Sequence, residues 1–458
     1  MTAVDGHGAD GGGWVVEPTR PVSTVRAEPG RPPWAWILGC WAGLAVLVTS
    51  VAIWAIGDRA PTNVNVGTRF WLDAWLVDDA RWYQSIAADG YFYLPGQQSS
   101  IAFFPSYPMT VRGVGWVLGS DFQLAAWLVA LAAGLAAVVM FTGWVWARLP
   151  RAAALTAIAV LMLYPYSFFL YGPMMSDAFF LMLALLAFVL LERRMFWLAG
   201  LVGALATACR PVGVAVAVGL VVRTLELLAE RRAAAAVNAA DEAADEAADE
   251  AADEAAAPAR AEPDADADAQ TVARWPRHVR WRDLFGAIRA VRWREAGVLL
   301  SGIGLAGWCI YLWTTYGDPL AFNTVQGAPG WNQGTGPKTW FKLIFFGTMV
   351  RGPFDVALRI AAQALMCLIA VLLLRRVYRL FGWGYLAYSV VVLTIPLLGT
   401  KDFMGTGRYV MAAFPVIAAA GHVLASARPR WVRPVVLGVG LLGMLVATFV
   451  FATGTSVT

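Results

Sequence analysis

Nine apolar runs, at residues 35–57, 123–147, 152–171, 177–192, 297–315, 355–374, 381–399, 409–427 and 434–453, constrain this chain more than any other feature. Each is expected to cross roughly 30 Å of hydrocarbon as a helix. Two shorter runs, 196–209 and 211–222, form a hairpin that breaks at Arg210-Pro211. Proline removes a backbone donor there and an arginine would be costly in lipid, so the break belongs near an aqueous face or inside the bundle. With hydrophobic residues at 59% and charged residues at 14%, a soluble domain of 458 residues is excluded. The sequence predicts an all-α polytopic membrane protein with about eleven transmembrane helices.

Arginine placement gives the orientation, because loops that stay in the cytoplasm carry the excess of positive charge. Arg20, Arg26 and Arg31 put the N-terminus inside. Arg148 with Arg151, Arg193 with Arg194, Arg223 with Arg231 and Arg232, Arg375 with Arg376 and Arg379, and Arg428 with Arg430 and Arg433 then fall at alternate helix ends. The C-terminus is expected to be extracytoplasmic, in a multi-pass protein of the plasma membrane. The same alternation assigns a large loop at 58–122, a second at 316–340 and the turn from Lys401 to Arg408 to the outer face.

Four regions follow. A disordered cytoplasmic tail occupies 1–33, an N-terminal transmembrane module 34–222, a cytoplasmic insert 223–296 and a C-terminal transmembrane module 297–458. Within the insert, Asp241 to Ala256 repeats every four residues as DEAA, which suits a solvated helix or a disordered acidic linker. Residues 274–294 interleave arginines with Trp275, Trp281 and Trp293 and suit an amphipathic segment on the anionic inner leaflet. Cys40, Cys209, Cys309 and Cys367 lie in apolar segments at irregular spacing and read as small core residues. His7 and His278 lie in polar segments, and His422 in a span, where packing suits it better than catalysis. No spacing of Asp, Glu or His asks for a metal, and no phosphate-binding glycine loop follows a predicted strand, so neither metal nor cofactor is expected. A net charge of +4 gives no sign of a nucleic-acid partner.

The 58–122 loop is far longer than a connector needs, and loops of that length are usually functional. It carries Asp73, Asp78, Asp79, Arg81, Asp89 and Arg112. After Asp79 come Trp82, Tyr83, Ile86, Ala87, Gly90 and Tyr91. That spacing predicts a short helix with Asp79 near its start and Trp82, Tyr83 and Ile86 facing inward. Ala102-Phe103-Phe104-Pro105 and Tyr107-Pro108 make a rigid aromatic return to the membrane. Flat aromatic surfaces suit sugar rings, and interfacial tyrosine and tryptophan equally suit lipid headgroups.

These residues resemble the membrane mannosyltransferases related to phosphatidylinositol-glycan class V, members of the GT-C superfamily that use polyprenyl-phosphate sugars. That family's first outer loop has a pattern like WD-x-x-WY-x-x-IA-x-x-GY followed by FFP-x-YP. It is matched here by Asp79, Trp82, Tyr83, Ile86, Ala87, Gly90 and Tyr91, then Phe103, Phe104, Pro105, Tyr107 and Pro108, while Asp78 stands where a tryptophan is usual. Pro165, Ser176 and Asp177 look like the family's proline and Ser-Glu pair, with Asp in place of Glu, and Arg210 looks like its mid-chain arginine. Gly317, Asp318, Pro319, Phe322 and Gln326 resemble a GDP-x-x-F-x-x-x-Q element, and Gly407, Arg408 and Tyr409, with Pro415, resemble a GRY element. The insert and the N-terminal tail have no counterpart.

The resemblance implies a GT-C-like bundle with a large first extracytoplasmic loop. It also implies an enzyme that moves mannose from a polyprenyl-phosphate-mannose donor to a glycolipid or cell-envelope glycan acceptor, with membrane lipids as the remaining partners. A sugar phosphate already carries a good leaving group, so one carboxylate base could serve inversion without the general acid that inverting glycosidases need. Asp79 is the expected base, with Asp78 the alternative. Arg408 is expected to hold the donor phosphate through its planar fork, with Lys401 and Arg210 behind it. Trp82, Tyr83, Tyr91, Phe104, Tyr107, Asp177, Gln326 and Tyr409 are the expected substrate contacts. Structural readings stand beside these: Asp79 and Asp177 could cap helices, and Arg408 could snorkel or pair with Asp402. The alternative function is a transporter or flippase of lipid-linked glycans; such proteins show internal repeats, and this sequence shows no duplication.

Overall fold

The computed structural model describes residues 30–57, 70–254, 279–331, 333 and 336–455. The expected disorder of the N-terminal tail at 1–29, His7, Trp275, His278 and the start of the first loop at 58–69 lie outside the described residues. In chain order the principal helices are α1 (Trp34–Ile56), α2 (Asp79–Asp89), α3 (Ser106–Val117), α4 (Phe122–Trp146), α5 (Arg151–Leu163), α6 (Ser176–Glu192), α7 (Phe196–Thr207) and α8 (Val214–Glu254). There follow α9 (Trp281–Ile288), α10 (Ile303–Tyr316), α11 (Phe354–Phe381), α12 (Trp383–Gly399), α13 (Thr406–Ala412), α14 (Phe414–Ala425) and α15 (Val432–Ala452). Every regular element among the described residues is helical. Hydrocarbon imposes this, since a helix pairs its backbone polar groups within itself. The chain is an all-α polytopic membrane protein.

Among the described residues, six helical segments are long and apolar enough to cross a membrane alone, with Trp293–Tyr316, which ends in α10, counted as one, and α13 with α14 makes a seventh if the pair counts as one span. Hydropathy had suggested about eleven. The difference lies in the expected spans at 152–171, 177–192, 196–209 and 381–399, which form α5, α6, α7 and α12, of 13, 17, 12 and 17 residues. At 1.5 Å per residue these helices are roughly 18 to 26 Å long, shorter than the hydrocarbon core. Two of them stop where the sequence forbids a helix. Pro165 disfavours helical backbone at Tyr164 after α5, and Arg210-Pro211 separates α7 from α8. The 211–222 run, expected as half of a hairpin, instead opens a continuous helix that reaches Glu254, and its residues 231–247, which include the start of the DEAA repeat, are exposed.

Packing follows the lipid environment. Small residues allow close approach, as where any Cβ at Gly304 of α10 would collide with the Ala204 carbonyl of α7. Helix α14 lies along α5, α12 along α8, α4 along α6, and α1 along α15. The cysteines were expected to be core residues, but only Cys209 and Cys367 are buried; Cys40 is exposed and Cys309 partly so. In a bundle solvated by lipid an apolar residue is as well placed on the outside as within.

One end of the bundle is closed by an ion network. Arg223 Nε of α8 donates to Glu192 Oε1 at the end of α6 at 2.9 Å, and Arg223 Nη1 lies 2.9 Å from Glu226 and 2.8 Å from Glu230. Arg148 lies 3.4 Å from Glu192, and the Tyr385 hydroxyl donates to the same carboxylate at 2.9 Å. Glu226 also accepts the backbone N–H groups of Trp383 at 2.7 Å and Gly384 at 3.1 Å, capping α12. The cytoplasmic insert was expected to begin at Arg223, yet Thr224, Glu226, Leu227, Leu228 and Ala229 are buried. The packed part of α8 therefore runs past that boundary, its buried charges kept by pairing. Helix α9 rests on α8 through Leu284 and Ala287 and leaves Trp281, Phe285 and Ile288 exposed. From Glu192 at this end, α6 runs about 22 Å to Asp177 in its first turn, where the second group of charges lies.

Candidate active site

Asp79 opens α2. The residue before it, Asp78, has φ +50°, a region that non-glycine residues rarely enter, and this tight turn starts the helix at Asp79. Tyr83, one turn on, shares a 2.7 Å hydrogen bond with Ser176 Oγ at the start of α6. Burial pushes the Tyr83 hydroxyl well above its ordinary range, so it acts as a neutral hydrogen-bonding group. At the other end of α2, Arg112 of α3 donates to the Ala87 carbonyl at 2.7 Å and the Ile86 carbonyl at 3.1 Å, satisfying free helix carbonyls. The loop between α1 and α4 thus fixes Asp79 against the bundle through α2.

Arg408 comes from the opposite end of the sequence. Helices α13 and α14 meet at 81°, with Pro415 in the first turn of α14, where its missing N–H breaks no helical bond. The Tyr164 hydroxyl donates to the Gly407 carbonyl at 2.9 Å, the Gly407 N–H to Gln363 Oε1 at 3.3 Å, and the Tyr388 hydroxyl to the Ala412 carbonyl at 2.7 Å. Any Cβ at position 407 would run into the Tyr166 ring, so glycine is required beside Arg408. Arg408 Nη1 donates to Asp79 Oδ2 at 3.2 Å. Arg408 does not take Asp402, whose Oδ1 accepts the Met404 N–H at 2.8 Å.

A second pair lies behind the first. Arg210, in the break between α7 and α8, donates to Asp177 Oδ1 of α6, and both are buried. Asp177 Oδ2 is 3.9 Å from Arg408 Nη1, so one carboxylate lies between two guanidinium groups. Both guanidiniums also face the Tyr409 ring, at 5.1 Å for Arg210 and 5.8 Å for Arg408. Arg210 avoids lipid by entering the bundle and taking a partner there.

These residues border a cavity of about 460 Å³. Asp79, Tyr83, Arg210, Arg408 and Tyr409 line its charged side, while Phe103, Phe104, Phe322, Ile395, Pro396 and Met404 line an apolar side. Gln326 and Gln333 complete the wall. The GDP element explains part of this shape. Gly317 ends α10 in a left-handed conformation, and Asp318 accepts the Leu320 N–H at 2.8 Å and the Thr324 hydroxyl at 3.0 Å. That turn sets Phe322 edge-on to Phe104 with centroids 5.1 Å apart.

Of the residues expected at the site, Asp79, Tyr83, Phe104, Arg210, Gln326, Arg408 and Tyr409 line the cavity, whereas Asp78, Trp82, Tyr91, Tyr107, Asp177 and Lys401 do not. Trp82 backs the wall, stacked on Phe103 at 5.7 Å and tilted against Trp331 at 5.7 Å. Tyr91 packs on Trp308, Tyr107 is buried with its hydroxyl on the Ala126 carbonyl, and Asp177 lies behind Arg210. Lys401 sits where the second loop meets the 400–405 segment, its N–H on Gln333 Oε1 at 3.2 Å and its Nζ 3.4 Å from the Trp331 carbonyl. Gln363 and Lys342 were not anticipated. Gln363 is a buried polar residue within an apolar run, which is itself a signal of function in a membrane helix. Lys342 Nζ donates to the Thr400 and Asp402 carbonyls and so holds the segment carrying Thr400 in the cavity wall. A lone loop lysine carries no such signal.

Neither a family model nor a curated protein matches the chain. Among solved structures, the archaeal oligosaccharyltransferase AglB from Archaeoglobus fulgidus, in complex with an inhibitory peptide and a dolichol-phosphate, is similar over 92% of this chain, at 12% identity and a TM-score of 0.39. The chain spans 56% of that protein's length. A likeness of that degree assigns neither fold nor activity.

Proposed function

We propose that this protein is an integral-membrane glycosyltransferase that moves mannose from a polyprenyl-phosphate-mannose donor to a glycolipid or cell-envelope glycan on the outer face of the plasma membrane. The observation that carries the reading is the contact of Asp79 with Arg408 at the wall of one cavity. A proton acceptor and a planar phosphate ligand, the two groups this displacement needs, come together there from opposite ends of the chain. Asp79 is preferred to Asp78 because only Asp79 lines the cavity. The order of motifs from Asp79 to Tyr409 supports mannose and the lipid-linked donor. The alternation of arginines supports the outer face, where a lipid-linked donor replaces cytosolic nucleotide sugars.

In this reading the donor phosphate lies at Arg408, with Arg210 beside it, and the first isoprenoid units lie along Phe322, Ile395 and Pro396. The acceptor hydroxyl gives its proton to Asp79 as its oxygen bonds the anomeric carbon. The bond from that carbon to the phosphate oxygen breaks, and its electron pair leaves with polyprenyl phosphate. The leaving phosphate needs no proton, so no general acid is called for.

The test is to incubate membranes holding the protein with labelled polyprenyl-phosphate-mannose and native lipid extract. The expected product carries mannose in the anomeric configuration opposite to the donor's, read by NMR. Retention would overturn the direct displacement, and an unlabelled acceptor pool beside intact donor would overturn the choice of donor.

A further inference from the structure

The four charged side chains of the site are not equally satisfied. Asp79 and Arg408 border the cavity and pair with each other, while Asp177 is only 2% exposed and stands behind them. Asp177 Oδ1 accepts from Arg210, but Asp177 Oδ2 is buried without a hydrogen-bond partner. Arg408 Nε is likewise buried and unpartnered. A buried carboxylate oxygen without a donor and a buried guanidinium N–H without an acceptor are each costly. The gap from Arg408 Nη1 to Asp177 Oδ2 is 3.9 Å, so a shift of about 1 Å closes it to a hydrogen bond.

Resting on the transferase reading, we propose that Asp177 is a positioning residue. When a phosphate reaches Arg408, the guanidinium shifts from Asp79 to Asp177 Oδ2, so that Asp177 holds Arg210 and Arg408 side by side toward the phosphate and Asp79 is released to act as base. Tyr409 is the common floor for this movement, since both guanidiniums already lie over its ring. The charges can be followed through the step. Two carboxylates offset two guanidiniums before binding, and the singly charged donor phosphate then takes the place of Asp79 on Arg408. Transfer moves one negative charge from Asp79, which takes the acceptor proton, to the leaving phosphate, which the two guanidiniums hold. Without Asp177, Arg210 and Arg408 would be neighbouring buried cations that repel, and Arg408 would remain on Asp79.

The proposal is tested on the purified full chain in lipid nanodiscs with polyprenyl-phosphate-mannose as varied substrate, comparing wild type, Asp177→Asn, Arg210→Gln, the double variant and Asp177→Glu. Asp177→Asn is expected to raise the donor KM about tenfold or more, with a smaller change in acceptor KM. The double variant, in which Arg210 no longer repels Arg408 but a phosphate ligand is also lost, is expected to be impaired by less than the product of the two single effects, and Asp177→Glu to recover part of the loss. A donor KM within twofold of wild type for Asp177→Asn overturns the proposal. So does a double variant impaired by at least the product of the two single effects. If wild type transfers no sugar from intact donor, the transferase reading fails on its own. The positioning role is then read from binding of polyprenyl phosphate to the same variants, where unchanged affinity in Asp177→Asn overturns it.

Discussion

Arg408 depends on a neighbour that has no side chain at all. Gly407 lies against the Tyr166 ring, and a methyl group there must push either the ring or α13 aside. Gly407→Ala is therefore expected to cost about 1–3 kcal/mol of stability and to displace Arg408. A lower melting temperature in detergent together with at least a tenfold slower transfer would show this; a variant matching wild type in both would refute it. Arg408→Lys keeps the charge but loses the planar fork, and initial rates against donor concentration are expected to show a KM raised about tenfold. Unchanged donor KM would move the phosphate ligand elsewhere. At this scale the sequence pointed to Asp79 and Arg408 separately, through the resemblance carried by the aromatic pattern after Asp79 and by the Gly407-Arg408-Tyr409 element. It did not pair them, because they stand 329 residues apart and nothing local links the two. Asp402 was the nearer candidate by sequence, but its carboxylate turns back on its own loop.

The helices divide into those set by hydropathy and those set by partners. Apolar runs place α1, α4 and α15 within two residues and α11 at its start, because in lipid a continuous apolar segment has no alternative to a helix. Hydropathy fails at α5, whose end is fixed by Pro165, whereas α7 ends within two residues of the expected Arg210-Pro211 break. It fails again at α8, where charged residues past Arg223 look solvated in sequence and are buried against α12 in the structure. Glu226 caps α12 and pairs with Arg223, so Glu226→Ala leaves a buried arginine short of a partner and two backbone N–H groups uncapped. A loss of about 3 kcal/mol is expected, seen as a lower unfolding temperature. Donor KM should stay at the wild-type value, since this network lies at the far end of α6 from Asp177. A KM that rose with the loss of stability would mean the two ends are coupled.

Taken whole, the molecule carries charge at two ends of an apolar bundle. One end is an ion network of arginines and glutamates that ties helices together, and the other is a cavity where the same kinds of group line open space. The reading places the cavity outside the cell. In a background without native cysteines, an impermeant maleimide should label Leu320→Cys in intact cells and label Asp245→Cys only after permeabilisation; the reverse pattern would invert the topology. The central claim is chemical, that Asp79 takes the acceptor proton in sugar transfer. It is tested most directly by measuring transfer from labelled polyprenyl-phosphate-mannose in membranes holding equal amounts of wild type and Asp79→Asn. Wild type is predicted to label lipid or glycan, and the Asn variant to be slower by a hundredfold to about ten-thousandfold. Full activity in Asp79→Asn, at equal abundance, would contradict the account.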